Sequence, residues 1–379
     1  MSIQLPSIVE GWDIERDAFR EAHISGELRK LVTEFSNACT LNCPGCFTVK
    51  VEDGDDPQVA LQKRRLPNEM SPEQRLDLLR EAHDLGAQSV DIVGAGEPMI
   101  DPTLRPFVEE ASHLGVHVNI FTHGAHRELL EPERVAWWAE RPVSFFIKLW
   151  SQNPAVNEAM VLPKGRLAGQ YTRMRDQAIE NLVEAGFTRP TELEFDGRMH
   201  RRTRLGADIL VTQANYDEIA ELFRFCREQN IMPEIKNYIP EGPSKLTHES
   251  GAFRALEPAV QESLLAQRVS TADMRRLRAI LDQIDQEEFK NVPLENFYTG
   301  GTFCTQSMGS LYVPISGRIY SCVGTSTSYG AFVPGQDTLK QALTERREQV
   351  GFGCFPRLKD AQGRGEKIPS DESTILSQS

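Results

Sequence analysis

Three of the seven cysteines, Cys39, Cys43 and Cys46, fall within eight residues, directly after the apolar run Leu31–Phe35. No other feature limits the chain as strongly. Thiolates this close in a loop at the end of a strand can converge on one inorganic centre. A disulfide framework needs an even, spread-out set of cysteines, and structural zinc wants a fourth Cys or His nearby. The nearest histidines, His23 and His83, are at neither finger nor ribbon spacing. Three thiolates without a fourth suit a cubane iron–sulfur cluster with one iron left open.

The rest of the composition narrows the function classes. A formal charge of −13 over 379 residues opposes binding to a phosphate backbone, so no nucleic-acid partner is expected. No stretch approaches the roughly eighteen apolar residues of a membrane span, and Met1–Pro6 lacks the basic-then-apolar layout of a signal peptide. The expected setting is the reducing cytoplasm, away from membranes, where clustered cysteines bind metal rather than pair.

Along the chain, short β-rich runs alternate with amphipathic helical segments. The strand candidates are Leu31–Phe35, Ser89–Val93, Val116–Thr122, Val143–Trp150, Ala207–Thr212 and Ile231–Tyr238. Ser71, Pro72 and Gln74 spell an N-cap, an N1 proline and a capping box. Asp101 and Pro102 open a second helix, Gln170–Gly186 forms a third, and Asn215 caps a fourth with Cys226 on its buried stripe. Six such strands predict a parallel α/β fold with its chemistry at the carboxyl ends of the strands. The cysteine loop ends the first strand and Gly94-Ala95-Gly96-Glu97-Pro98 ends the second, so both face one mouth.

The Cys-x3-Cys-x2-Cys spacing together with the Gly94–Pro98 element resembles the radical S-adenosylmethionine (radical SAM) superfamily. The resemblance implies a partial (β/α)6 TIM-like barrel over residues 31–240. Residues 1–30 would be an N-terminal extension closing off the barrel, 241–295 a helical connector, 296–358 an α+β auxiliary-cluster module and 359–379 a flexible tail. It also implies that Cys39, Cys43 and Cys46 hold a [4Fe–4S] cluster whose open iron takes the amino and carboxylate groups of SAM. One electron, from an external donor such as flavodoxin or ferredoxin, then cleaves SAM to a 5′-deoxyadenosyl radical that abstracts hydrogen from substrate. Gly94, Gly96 and Glu97 would contact the SAM ammonium, Lys148 and Ser151 its carboxylate and ribose, and Leu210 and Val211 its adenine. Many members carry an aromatic residue just before the third cysteine; here that position is Gly45, and Phe47 is the nearest substitute.

Cys304, Gly317 and Cys322 are spaced like the opening of the SPASM and twitch modules appended to many radical SAM enzymes. Gly317 is expected at the turn of a hairpin, Leu311–Ile315 with Arg318–Ser321. The closing Cys-x2-Cys pair is reduced to Cys354 and Arg357, which points to a twitch-like auxiliary [4Fe–4S] cluster held by Cys304, Cys322 and Cys354. Cys226 reads as a core cysteine.

Other residues are open to more than one reading. Arg198, Arg201, Arg202 and Arg204 read as a solvated loop before the fifth strand, with carboxylate or phosphate recognition as the alternative. His123 and His126 flank the end of the third strand, and His123 is either a polar contact to SAM or substrate or a surface-loop residue. Glu234 and Lys236 share one face of the sixth strand, with Asn237 on the other. Trp137, Trp138 and Trp150 read as packing.

The resulting expectation is a radical SAM oxidoreductase or lyase. Its substrate would be a small polar metabolite, such as an amino sugar, aminocyclitol or nucleoside, undergoing oxidation, elimination or epimerisation. Only 38 residues precede Cys39, few for a leader-peptide-binding domain. The alternatives are a peptide- or protein-modifying maturase and, outside enzymes, a cluster-bearing redox sensor, for which Gly94–Pro98 would have no use.

Overall fold

The computed structural model describes residues 7–14, 16–41, 43, 69–195, 197–238, 266–291, 308–323 and 328–350. Six parallel strands form the backbone of the molecule: β2 (Lys30–Thr33), β3 (Ser89–Ile92), β4 (His117–Thr122), β5 (Val143–Lys148), β8 (Leu205–Val211) and β9 (Met232–Asn237). They lie in that order in one sheet, each expected from the β-rich runs of the sequence.

Period-two alternation sorts their side chains. Leu31, Val90, Ile92, Val118, Ile120, Phe145, Ile147, Ile209, Val211 and Ile235 enter the main core beneath the helices. Each such side chain is worth about 1.5–3 kcal/mol when fully buried. The other face carries Lys30, Asp91, Asn119, Phe121, Phe146, Lys148, Asp208, Glu234 and Lys236. Lys236 Nζ on β9 stands 4.6 Å from the ring centroid of Phe121 on β4. Two strands separate β4 from β9, so this contact requires the sheet to curl around a concave face.

The connecting helices follow their predicted signals closely. Helix α2 (Pro72–Asp84) has its full capping box: Ser71 Oγ accepts from Gln74 N, and Gln74 Oε1 accepts from Ser71 N at 2.8 Å. From α2, buried Arg75 pairs with Asp101 at 3.0 Å and donates to Phe35 O, fixing the chain where it leaves β2. Helix α3 (Leu104–His113) begins two residues later than expected, because Asp101 accepts from Thr103 N and from Arg75 rather than opening the helix itself. Helix α7 (Tyr171–Glu184) lies within the expected span. Before α8 (Ile219–Glu228) a 3₁₀ turn intervenes, and Asn215 stands at its N-cap position without a side-chain cap: its Oδ1 accepts from Thr212 N, and its Nδ2 donates to Trp150 O and Leu210 O. Cys226 is fully buried on α8, and burial pushes its thiol up to about 12, as befits a core cysteine.

Arg198–Thr203 is not a loop. It is strand β7, paired antiparallel with β6 (Thr191–Phe195) and parallel with β1 (Ile8–Val9). Arginine carries no strand signal, and only the pairing partners reveal the hairpin. Arg204 then turns inward, where its guanidinium donates to the carbonyls of Val143, Ala139, Trp138 and Arg141.

The N-terminal segment enters the concave face from the amino ends of the strands. Trp12 packs 5.2 Å from Phe121 and 4.9 Å from Phe146, under the ammonium of Lys30. At the opposite edge, β10 (Ser310–Val313) pairs parallel with β2, and β11 (Arg318–Tyr320) and β12 (Ser328–Ala331) continue antiparallel. Gly317 stands at the β10–β11 turn, as expected.

Candidate active site

The carboxyl ends of β2, β3 and β4 meet at one node. Glu97 N donates to Ala38 O at 2.8 Å, joining the cysteine loop to the Gly94–Pro98 turn. Glycine is obligatory at two places in this turn. Gly94 has φ +61°, and a Cβ on Gly96 would lie 2.2 Å from Ala38 O. The Glu97 carboxylate accepts from Met99 N at 3.1 Å, Thr122 Oγ1 at 2.6 Å and His123 N at 2.8 Å. The side chain of Glu97 therefore fastens the turn to the end of β4, while its backbone fastens the turn to the cysteine loop.

His123 is buried, not a surface residue, and extends this tie. Ala125 N donates to Nδ1 at 3.0 Å, which places the ring proton on Nε2. Nε2 lies 3.0 Å from Thr40 Oγ1 and 3.4 Å from Glu97 Oε2. Burial pushes the imidazole below its ordinary range, against the pull of Glu97, so the ring works as a neutral bridge. His126 instead caps a short helical turn, Arg127–Leu130, by accepting from Glu128 N.

Cys39 and Cys43 lie on the concave side with Leu41, Trp150, Tyr171 and Leu210. Desolvation, then the nearness of Cys43 and Glu97, pushes the Cys39 thiol well above its ordinary range. Lys148, at the end of β5, lies 3.6 Å from Cys43 Sγ and 4.3 Å from the Trp150 ring centroid. Burial opposes its charge, but Cys43, Tyr171, Asp208 and Cys39 outweigh burial and hold the ammonium above its ordinary range.

Ser151 is buried against the Glu218 carboxylate and accepts from Asn153 N at 2.9 Å. Val211 points the other way, into the core under the helices, because alternation along β8 gives the concave side to Leu210. Cys46 and Phe47 lie outside the described residues, as do Cys304 and Cys354. Cys322 is half-buried just past β11.

Sequence reasoning missed Arg175. On α7 this side chain is fully buried, with Nη1 donating to Ser151 O at 3.1 Å and Nε to Asp176 at 2.7 Å. Its Nη2 has no partner. A single arginine inside an amphipathic helix carries no signal in sequence, because its burial depends on β5 and the turn after β4. An orphaned guanidinium nitrogen fits an anionic group, and Cys39 and Cys43 offer thiol ligands near the Gly96 turn. The residues present thus fit a cluster with SAM beside it.

Residues 33–195 match the family model described as the Radical SAM superfamily. Residues 33–195 carry a radical SAM domain. Members of this superfamily are enzymes of radical chemistry, and the fold implies a [4Fe–4S] cluster and SAM. Among solved structures, the fold resembles Streptococcus suis SuiB bound to its precursor peptide SuiA. The TM-score is 0.56 at 17% identity, over 88% of this chain and 68% of that one. It also resembles anSMEcpe with bound AdoMet and a Cp18Cys peptide, with a TM-score of 0.52 at 12% identity over 85% of this chain and 80% of that one. No helix among the described residues is long and apolar enough to cross a membrane.

Proposed function

We propose that this protein cleaves SAM reductively and uses the product radical to abstract hydrogen from a small polar metabolite. The carrying observation is the junction of the cysteine loop with the Gly94–Pro98 turn, made by Glu97 N on Ala38 O and sealed by the missing Cβ of Gly96. Cys39, Cys43 and Cys46 are the proposed ligands of a [4Fe–4S] cluster, and Gly94, Gly96 and Glu97 shape the SAM seat beside it. When bound, cluster and SAM together supply the 5′-deoxyadenosyl radical. The chain's own residues hold the loops in register: His123 bridges Thr40 to Glu97, and Arg175 Nη2 is free to receive a carboxylate. Lys148 keeps positive charge beside the thiolates, and Trp150, Tyr171 and Leu210 keep water from the reacting face.

An auxiliary [4Fe–4S] cluster on Cys304, Cys322 and Cys354 is part of the same proposal. The position of β10–β12 on the β2 edge supports it, since that edge also carries the cysteine loop. Peptide modification is the second reading, favoured by the peptides held in the SuiB and anSMEcpe structures.

Anaerobically purified protein tests the proposal. It is expected to be brown, to carry about seven to eight irons and to cleave SAM with dithionite. Colourless protein containing zinc and no iron refutes it. Cys43→Ala is expected to abolish cleavage, and Cys322→Ala to lower iron by about half; unchanged iron removes the second cluster.

A further inference from the structure

Two cations stand near the candidate site, and they differ in what they hold. Arg175 is fully buried, and its Nη2 has no hydrogen-bond partner. Lys148 is engaged already. Its ammonium donates to Cys43 Sγ at 3.6 Å and lies over the Trp150 ring, 4.3 Å from the centroid.

Strand register explains why the ammonium stays there. Asp208 on β8 is the register partner of Lys148 on β5. One strand further, Lys236 Nζ donates to Asp208 Oδ1 at 3.0 Å and pairs with Glu234 Oε2 at 3.0 Å. Lys148, Asp208, Lys236 and Glu234 therefore form a row across β5, β8 and β9 with two charges of each sign. A lone half-buried ammonium is costly to hold away from water, and a row of opposite charges offsets that cost. The row ends at its β5 side on the Cys43 thiol.

These contacts separate two duties. The carboxylate of SAM calls for a cation with a donor to spare, which Arg175 Nη2 supplies. Lys148 instead donates to the sulfur of a proposed cluster ligand. Hydrogen bonds to the sulfurs and the charge around a cluster set its reduction potential. A positive donor on a ligand sulfur favours the reduced state, which carries one more negative charge.

We propose that Lys148 raises the reduction potential of the cluster on Cys39, Cys43 and Cys46 through its contact with Cys43, and does not hold the SAM carboxylate. The inference rests on the proposed function, in which Cys43 is a cluster ligand. The step concerned is the uptake of one electron from the external donor. Lys148 keeps its protons and its charge throughout, and no bond of the chain forms or breaks.

The test uses the full chain, loaded anaerobically with iron and sulfide. Midpoint potentials are read by electron paramagnetic resonance during a redox titration, on the signal that added SAM alters. Lys148→Met is expected to lower the ratio of reduced to oxidised cluster at least about tenfold at a given potential, a midpoint about 59 mV more negative. Lys148→Arg, which keeps the charge, is expected to recover at least half of that shift. SAM affinity, by calorimetry, is expected to stay within about threefold in both variants. Where Lys148→Met takes up no iron, Lys148→Gln, also without charge, decides in its place. An unshifted midpoint, a positive shift, or a negative shift that Lys148→Arg leaves in full overturns the inference. Lost SAM affinity with an unshifted midpoint gives Lys148 to the carboxylate and overturns it too. Colourless, iron-free wild-type protein refutes the radical reading and this inference together. Brown protein that cleaves SAM, with unshifted midpoints in the variants, refutes this inference alone.

Discussion

Replacing Gly96 with alanine tests the junction on which the proposed site depends. The new Cβ would lie 2.2 Å from Ala38 O and 2.8 Å from the carbonyl carbons of both Asn37 and Ala38. All three are backbone atoms, so no side chain can swing aside. Restoring an ordinary 3.4 Å contact to the oxygen means moving the loop by about 1.2 Å, the difference between 3.4 and 2.2 Å. The hydrogen bond from Glu97 N to Ala38 O breaks with that movement, at about 1 kcal/mol, and the crowding adds about 1–3 kcal/mol. Function should suffer more than stability, since a misplacement of about 1 Å costs roughly 100-fold in rate. The assay is 5′-deoxyadenosine release under dithionite, normalised to bound iron, beside a thermal melt. Gly115→Ala is the control. Gly115 has φ +71° with nothing within 4 Å of its would-be Cβ, so this change costs about 1 kcal/mol of backbone strain far from the cysteine loop. Gly96→Ala is expected to lose roughly 100-fold in turnover, and Gly115→Ala to lower the melting temperature with turnover retained. If Gly96→Ala turns over at the wild-type rate with full iron, the junction does not set the site.

Other expectations follow from single side chains. His123→Ala removes the bridge between Thr40 and Glu97 and should destabilise the protein by about 1–3 kcal/mol, read by denaturant titration; an unchanged midpoint refutes the bridge. Arg204→Ala strands four buried or half-buried carbonyls near β5 and should cost about 2–4 kcal/mol, read by denaturant titration; an unchanged midpoint refutes the role of its guanidinium. Acid should also destabilise the fold. Burial, helped by Arg204, Arg202 and Lys30, lowers His117 to about 3. Its folded pKa is below the unfolded value near 6.5, so the unfolded chain binds the extra proton. Stability is then full above about pH 6.5 and falls by about 1.4 kcal/mol per unit toward pH 3. His117→Gln should flatten that slope in pH-dependent melts, and an unchanged slope would assign it to other groups.

The parallel sheet was legible because its signals are local. Each strand is a short apolar run, each is followed by a cap or an amphipathic stripe, and neither depends on distant partners. The Ser71 capping box and the β10–β11 turn at Gly317 were readable for the same reason. Strand β7 was not, because its three arginines and a histidine acquire strand character only from pairing with β6 and β1. The start of α3 shifted because Arg75, 26 residues upstream, claims Asp101.

The cysteine loop shows where the sequence stops. Three thiolates in eight residues after a strand, and a glycine-rich turn after the next, are linear facts that pointed to a cluster and a cofactor seat. Folding decided what surrounds them. Only contacts across strands could make His123 a buried bridge rather than a surface residue, leave Arg175 Nη2 without a partner, or assign Leu210 rather than Val211 to the concave side. The approach of Lys236 on β9 to the Phe121 ring on β4 likewise required the curl of the sheet. Spacing along a chain sets which chemistry is available, and the meeting of strand ends sets where that chemistry acts.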